Sequence, residues 1–284
     1  MRSIKKLHKA EYRPIADLIT YSPMPTRALQ MLDPFLFLNH HGPQHYGPAN
    51  NGLPFGPHPH RGMETVTFIL EGDIMHKDSS GHESVITAGG VQWMTAGRGL
   101  IHAETSSEAF LKNGGDMEIL QLWLNLPAKH KMAEPFYKGL QKQDIPKLQL
   151  NDGKVEMNLI AGNYQGKRGA FQSVTDVFLS TLFFQPGGEL KLDIPAGHNI
   201  FFYVIRGKLR VNDTEAEALH FVEFNNDAET LEILSESESV LLLGHAAPLN
   251  EPVVAQGPFV MNTAEEIQQA YRDYQAGKFG SWED

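Results

Sequence analysis

The stretch from His58 to Glu104 does most to constrain what this chain can become. It reads HPHRGMETVTFILEG (58–72) and, after a short connector, GGVQWMTAGRGLIHAE (89–104). His58 and His60 are one residue apart, so on an extended strand, where side chains alternate, both imidazoles face the same way. His102 and Glu104 repeat the spacing 44 positions on from His58. Two such pairs inside a small β-barrel offer three imidazole nitrogens and one carboxylate oxygen, a donor set suited to one divalent transition metal. Four protein ligands on an octahedral ion leave two positions open. A single HxH is more often an ordinary strand than a site. The second pair, directly after a turn that requires Gly97 and Gly99 to bend the backbone sharply, favours the metal reading.

The surrounding pattern predicts an all-β chain. Apolar and polar residues alternate in short runs at 64–70, 118–126, 155–162, 177–184, 199–205 and 239–244. Turn signals at Glu71-Gly72, Ser80-Gly81, Gly89-Gly90, Pro186-Gly187-Gly188 and Arg206-Gly207 separate them, as in a barrel or sandwich. One helix is expected near the end, where Thr263 and Glu266 form a capping box, Ile267, Ala270, Tyr271 and Tyr274 share a stripe, and Gly277 stops it. An internal repeat predicts two barrels: FILEGDI (68–74) is echoed by YVIRGKL (203–209), and VQW (91–93) by VEF (222–224). In the second copy the ligand positions have decayed to Asp193, Pro195 and Ser237, leaving His198 and His220 outside any HxH arrangement. A metal-free second barrel with a packing or partner-binding role follows. The expected division is a metal-binding barrel over 1–130, a connector over 131–150 rich in Lys and Pro, and a degenerate barrel with the terminal helix over 151–284.

Composition narrows the functional classes. With 284 residues, 41% of them hydrophobic, the chain can bury one large core or two modest ones. No apolar run is long enough to span a bilayer, and MRSIKKLHKAEYRP lacks an apolar stretch after its basic start, so a cytoplasmic protein without membrane contact is expected. The absence of cysteine excludes disulfides, thiolate ligands and cysteine nucleophiles. A net charge of −10 argues against direct nucleic-acid binding. Asn212-Asp213-Thr214 fits a glycosylation acceptor but reads as a turn.

The order HPHRGMETVT, LEG, VQWMTAGRG and HAE, followed by GPFVMNTAEEI (257–267), resembles the pirin family, a branch of the bicupins. The resemblance runs from DPFLFLNHHG (33–42) to the C-terminal helix. It implies two tandem cupin (jelly-roll) β-barrels joined by a connector, with metal ligands at His58, His60, His102 and Glu104. It also implies iron as the metal, although the donors equally suit Ni, Cu, Mn, Co or Zn. Pirin-like proteins are associated with quercetin 2,3-dioxygenase activity. On that reading a flavonol and dioxygen are the substrates, Glu104 or a nearby base takes the proton of the flavonol 3-hydroxyl, and the ring opens with loss of carbon monoxide. The alternative implied by the family is a metal- or redox-dependent regulator that binds partner proteins. Two departures stand near the site: Met63, where an aromatic residue is common, and a histidine-rich loop at His40, His41 and His45.

Other residues around the site carry weaker expectations. Glu64 shares strand parity with His58 and His60 and is expected to orient an imidazole rather than to ligate. Gln92, Trp93, Met94, Gln121 and Trp123 offer a pocket wall or simply core. Arg61 and Arg98 could pair with substrate, but neighbouring carboxylates are the expected partners. TAGRG lacks the Lys-Ser/Thr and following helix of a phosphate cradle.

Overall fold

The structure is a computed structural model and describes residues 1–282. It is built mostly of strands, as the alternation predicts. The runs expected to be strands fall at Met63–Glu71, Gly115–Asn125, Val155–Ala161, Val177–Phe184, Asn199–Arg206 and Ser239–Ala246. The strands form two units, each with one seven-stranded and one four-stranded sheet.

In the unit that carries the histidine pairs, the larger sheet has the order Phe136–Leu140, Val91–Thr95, Met63–Glu71, Gly115–Asn125, Phe35–Tyr46, Thr20–Met24, Glu11–Tyr12. Its smaller sheet is Phe55–His60, Leu100–Thr105, Asp73–Asp78, Glu83–Thr87. In the other unit the larger sheet has the order Ile4–Lys9, His220–Phe224, Asn199–Arg206, Ser239–Ala246, Val177–Phe184, Val155–Ala161, Lys147–Leu150. Its smaller sheet buries alternate residues along Gly188–Asp193 and Lys208–Val211, the mark of strands with one face on a core and one in water. Leu159, Leu182, Phe202, Val204, Leu231, Leu241 and their neighbours fill that core with apolar side chains. Each fully buried Leu, Ile or Phe contributes roughly 1.5–3 kcal/mol relative to exposure, so this apolar core is a main source of the barrel's stability.

The units interleave in sequence, unlike the linear division into 1–130, 131–150 and 151–284. Met1–Glu11 and Ser22–Phe35 belong with Asp144–Pro248, and the chain from Leu249 onward belongs with Tyr12–Tyr21 and Leu36–Gln143. Register explains the first exchange: Ile4–Lys9 pairs with His220–Phe224, and the buried Arg2 guanidinium donates to the carbonyls of Ala228 (2.8 Å) and His198 (2.6 Å). Two contacts explain the second. The terminal helix, Ala264–Gln275, brings Asp273 to within 2.9 Å of the Arg61 guanidinium, and Ile101 packs against the apolar cluster of Phe259, Met261, Ile267, Ala270 and Phe279. The expected capping box is present, with Thr263 accepting from the Glu266 amide at 3.2 Å and Glu266 accepting from the Thr263 amide at 3.0 Å.

The stretch expected as a plain connector is ordered. Phe136–Leu140 is an edge strand paired with Val91–Thr95, and Lys147–Leu150 pairs with Val155–Ala161. Within it Lys131 is almost completely buried, its ammonium donating to the Gly62 carbonyl, Asn125 Oδ1 and the Val260 carbonyl at 2.8–2.9 Å. Burial pushes its pKa down to about 8. A second helix, Glu108–Asn113, was not foreseen; Ser107 caps it through the Phe110 amide. The expected turn at Asn212-Asp213 joins Lys208–Val211 to Thr214–Glu217, with positive φ at both residues, as a two-residue hairpin of the I′ kind requires. Among the described residues no helix is long and apolar enough to cross a membrane.

Candidate metal centre

His58 and His60 lie on the edge strand Phe55–His60, which pairs with Leu100–Thr105 so that His102 stands opposite His58 and Leu100 opposite His60. The turn before this second strand holds Gly97 and Gly99 at positive φ. A Cβ at Gly97 would collide with the Ala133 carbonyl, and one at Gly99 with the Phe279 ring, so the turn tolerates only glycine there.

The three imidazoles converge. Their ring centroids are 4.9 Å (His58–His60), 4.4 Å (His58–His102) and 5.0 Å (His60–His102) apart, and one ring nitrogen from each lies within 4.8 Å of the others. His58 is half-buried, while His60 and His102 are buried. His58 Nδ1 is 2.7 Å from the Gly56 carbonyl and His60 Nδ1 is 3.1 Å from the Pro258 carbonyl, which turns both Nε2 atoms toward the cluster. Burial, reinforced by His58, pushes the His60 pKa down to about 3. Burial together with the neighbouring histidines holds His102 well below its ordinary value. Both rings are therefore neutral, with a lone pair available.

His60 Nε2 and both ring nitrogens of His102 are buried without a hydrogen-bond partner. A buried polar atom left in that state costs about 1–3 kcal/mol, and a divalent cation among the three rings would engage His60 Nε2 and one of the two His102 nitrogens. The donor set fits a borderline transition metal.

Glu104 is buried in the same barrel, though outside the group of converging nitrogens. Gln92, Thr67 and Gln121 stand in one row across three adjacent strands, Thr67 opposite both amides, and all three donate to the Glu104 carboxylate. Oε1 accepts from Thr67 (2.9 Å) and Gln92, and Oε2 accepts from Gln121. A carboxylate has about four acceptor positions, so one on Oε2 is left. Tyr137 donates to Gln92 Oε1 at 3.1 Å, and the Trp123 indole donates to Gln121 Oε1 at 3.2 Å. Trp123 also lies edge-on to His60, with centroids 5.2 Å apart, and stacks on Phe37 at 4.5 Å. Both aromatics are half-buried and form a wall beside His60.

Other expected residues land elsewhere. Glu64 accepts from Thr95 Oγ1 at 2.7 Å and sits on the face of its strand opposite Thr67, hence away from the imidazoles. Its parity with His60 is lost because Arg61 and Gly62 lie between two strands. Trp93 likewise faces away from Gln92, while Met94 packs with Ala96, Leu100 and Tyr137. Arg61 pairs with Asp273, and Arg98 with Glu134 at 2.8 Å, both with carboxylates as expected. Met63 is fully buried beside Leu36 and Val260. His40, His41 and His45 are not in a loop. They lie in the strand Phe35–Tyr46 and are engaged by Glu118 (2.9 Å), Thr20 (2.8 Å) and Asp116 (2.7 Å). Sequence reasoning missed His76 and Asp78, whose HxD spacing copies that of the ligand pairs; His76 lies opposite Glu104 and Asp78 opposite His102. Among the described residues, only His58, His60 and His102 form a group able to hold a metal, and in the second barrel His198 and His245 contact each other at 3.0 Å.

Two β-barrels, one lined by convergent histidines and the other by apolar side chains, define a bicupin with a candidate metal centre in one barrel. Residues 17–124 match the family profile described as Pirin, and residues 180–280 match the Pirin C-terminal cupin domain. The chain belongs to the pirin family. It is 38% identical to a Pseudomonas aeruginosa protein named "Putative quercetin 2,3-dioxygenase", covering 94% of this chain and 92% of that one. A "Pirin-like protein" of Solanum lycopersicum is 42% identical over 89% of this chain and 84% of its own length. The crystal structure of a quercetin 2,3-dioxygenase from Acinetobacter baumannii superposes with a TM-score of 0.92 at 35% identity, covering 99% of both chains.

Proposed function

We propose that this pirin-family bicupin is a mononuclear metal dioxygenase that opens flavonols of the quercetin type with release of carbon monoxide. The observation that carries the reading is the meeting of three imidazoles, two of them with buried nitrogens that nothing else satisfies. His58, His60 and His102 would hold the ion, with Glu104 Oε2 beside them as the fourth ligand and proton acceptor. Iron(II) is the proposed metal on the family resemblance; Ni, Cu, Mn, Co and Zn fit the same donors. When bound, such an ion orients the substrate oxygen and stabilises the oxyanion left by deprotonation.

The chain's own residues do the rest. Thr67, Gln92 and Gln121 hold the Glu104 carboxylate fixed and leave one acceptor position on Oε2, which would serve the ion before the substrate arrives and take the proton of the flavonol 3-hydroxyl afterwards. Phe37 and Trp123 supply a flat aromatic wall for the flavonol rings. The relatives' names support the reaction class. The test is oxygen consumption and carbon monoxide release with quercetin and iron-loaded protein. The expected result is uptake and release together, and absence of both in metal-free protein. A second reading, a metal-dependent regulator of partner proteins, is favoured by the net charge of −10 and by a second barrel filled with apolar side chains. Absent turnover with every metal in the series, alongside metal-dependent binding of a cellular protein, would establish that reading instead.

A further inference from the structure

Histidines that ligate a metal are oriented by donating their other ring N–H to a fixed acceptor. His58 and His60 have theirs in the carbonyls of Gly56 and Pro258. His102 has none, since both of its nitrogens are buried without a partner. A metal accounts for one of them and leaves the other.

The nearby strand Asp73–Asp78 carries the complementary group. His76 is fully buried, and its ring centroid is 5.5 Å from that of His102. Its Nε2 lies 3.1 Å from Asp78 Oδ2, and its Nδ1 is, among the described histidines, the remaining buried nitrogen without a hydrogen-bond partner. The ring is fixed in place: it stacks on Tyr137 with centroids 3.8 Å apart and planes 5° from parallel. Asp78 is fixed as well, because Oδ1 accepts the backbone N–H of Ser80 at 2.8 Å and of His82 at 3.2 Å. With the Asp78 carboxylate holding a proton on Nε2, His76 Nδ1 is an acceptor, and the free ring N–H of His102 is the donor it lacks.

We propose that His76, anchored by Asp78 and Tyr137, is a positioning residue for the metal centre: it accepts the ring N–H of His102 that the metal does not use, directly or through one water. This rests on the metal reading above. The chain Asp78, His76, His102 sets the angle of the His102 ring and strengthens it as a donor.

The probe is cobalt(II), titrated into metal-free full-length protein against a competing chelator, with the visible spectrum of the bound ion as a second readout. His76→Phe keeps the ring stacked on Tyr137 and removes both nitrogens; it should bind cobalt(II) about 10–100-fold more weakly and with an altered spectrum. His76→Gln, whose amide oxygen can still accept, should recover part of the loss. In cobalt-loaded protein the exchangeable His102 ring proton is visible as a shifted NMR signal, and Asp78→Asn should move it. That measurement stands if His76→Phe fails to fold. Cobalt(II) bound by His76→Phe as tightly as by wild type with the same spectrum, or a His102 signal unmoved in Asp78→Asn, would overturn the proposal. Failure of the wild-type protein to bind cobalt(II) would overturn the metal reading and this inference with it.

Discussion

The Gln121 side-chain amide donates to Glu104 while accepting the Trp123 indole N–H, so the wall beside His60 and the carboxylate are held by one hydrogen-bonded link. On the other side Tyr137 and Gln92 form the matching link. Glu104→Gln places an NH2 group among three donors and leaves at least one without an acceptor. The variant should lose about 1–3 kcal/mol of stability in urea unfolding, bind metal more weakly and turn over no flavonol. Wild-type stability and metal affinity in Glu104→Gln would contradict the role given to the carboxylate.

Glu64→Gln should behave differently, because Glu64 bonds Thr95 on the face of its strand turned away from the imidazoles. Metal affinity measured by titration is expected to equal that of wild type. A Glu64→Gln protein that no longer holds metal, beside a Glu104→Gln protein that does, would reverse the two assignments.

Acid should destabilise the metal-free protein through its buried histidines. Burial depresses the pKa of His41 and His60 to about 3 and of His245 to about 4, with His40, His58 and His198 adding to it respectively. The unfolded chain takes up these protons near pH 6.5, so between about 6.5 and the folded values it binds more protons than the native state. Stability is then flat above about pH 6.5 and falls below it, by up to about 1.4 kcal/mol per pH unit for each histidine. A urea midpoint that stays constant from neutral pH into this window would contradict the neutral, buried state of these rings.

The strands and the shared face of His58 and His60 were legible because both depend on spacing along one strand. Val177–Phe184 and His58-Pro59-His60 follow directly from a period of two. What depends on neighbouring strands was not legible. The pairing of Ile4–Lys9 with His220–Phe224 leaves no mark in either segment alone, and neither does the row of Gln92, Thr67 and Gln121 around Glu104. The parity argument for Glu64 failed at Arg61 and Gly62, where one strand ends before the next begins. Phe35–Tyr46 was hidden by Gly42 and Pro43, which read as a loop but sit within a strand. Glu108–Asn113 is too short to show a helical period, although Ser107 marks its start.

The most direct test of the account is the metal content of freshly purified protein by elemental analysis, for wild type, His60→Ala and the double variant His58→Ala with His102→Ala. The account predicts about one divalent transition metal per chain in wild type, as a single set of N/O ligands requires, and none in either variant. Two metals per chain, or a metal retained by the double variant, would contradict it.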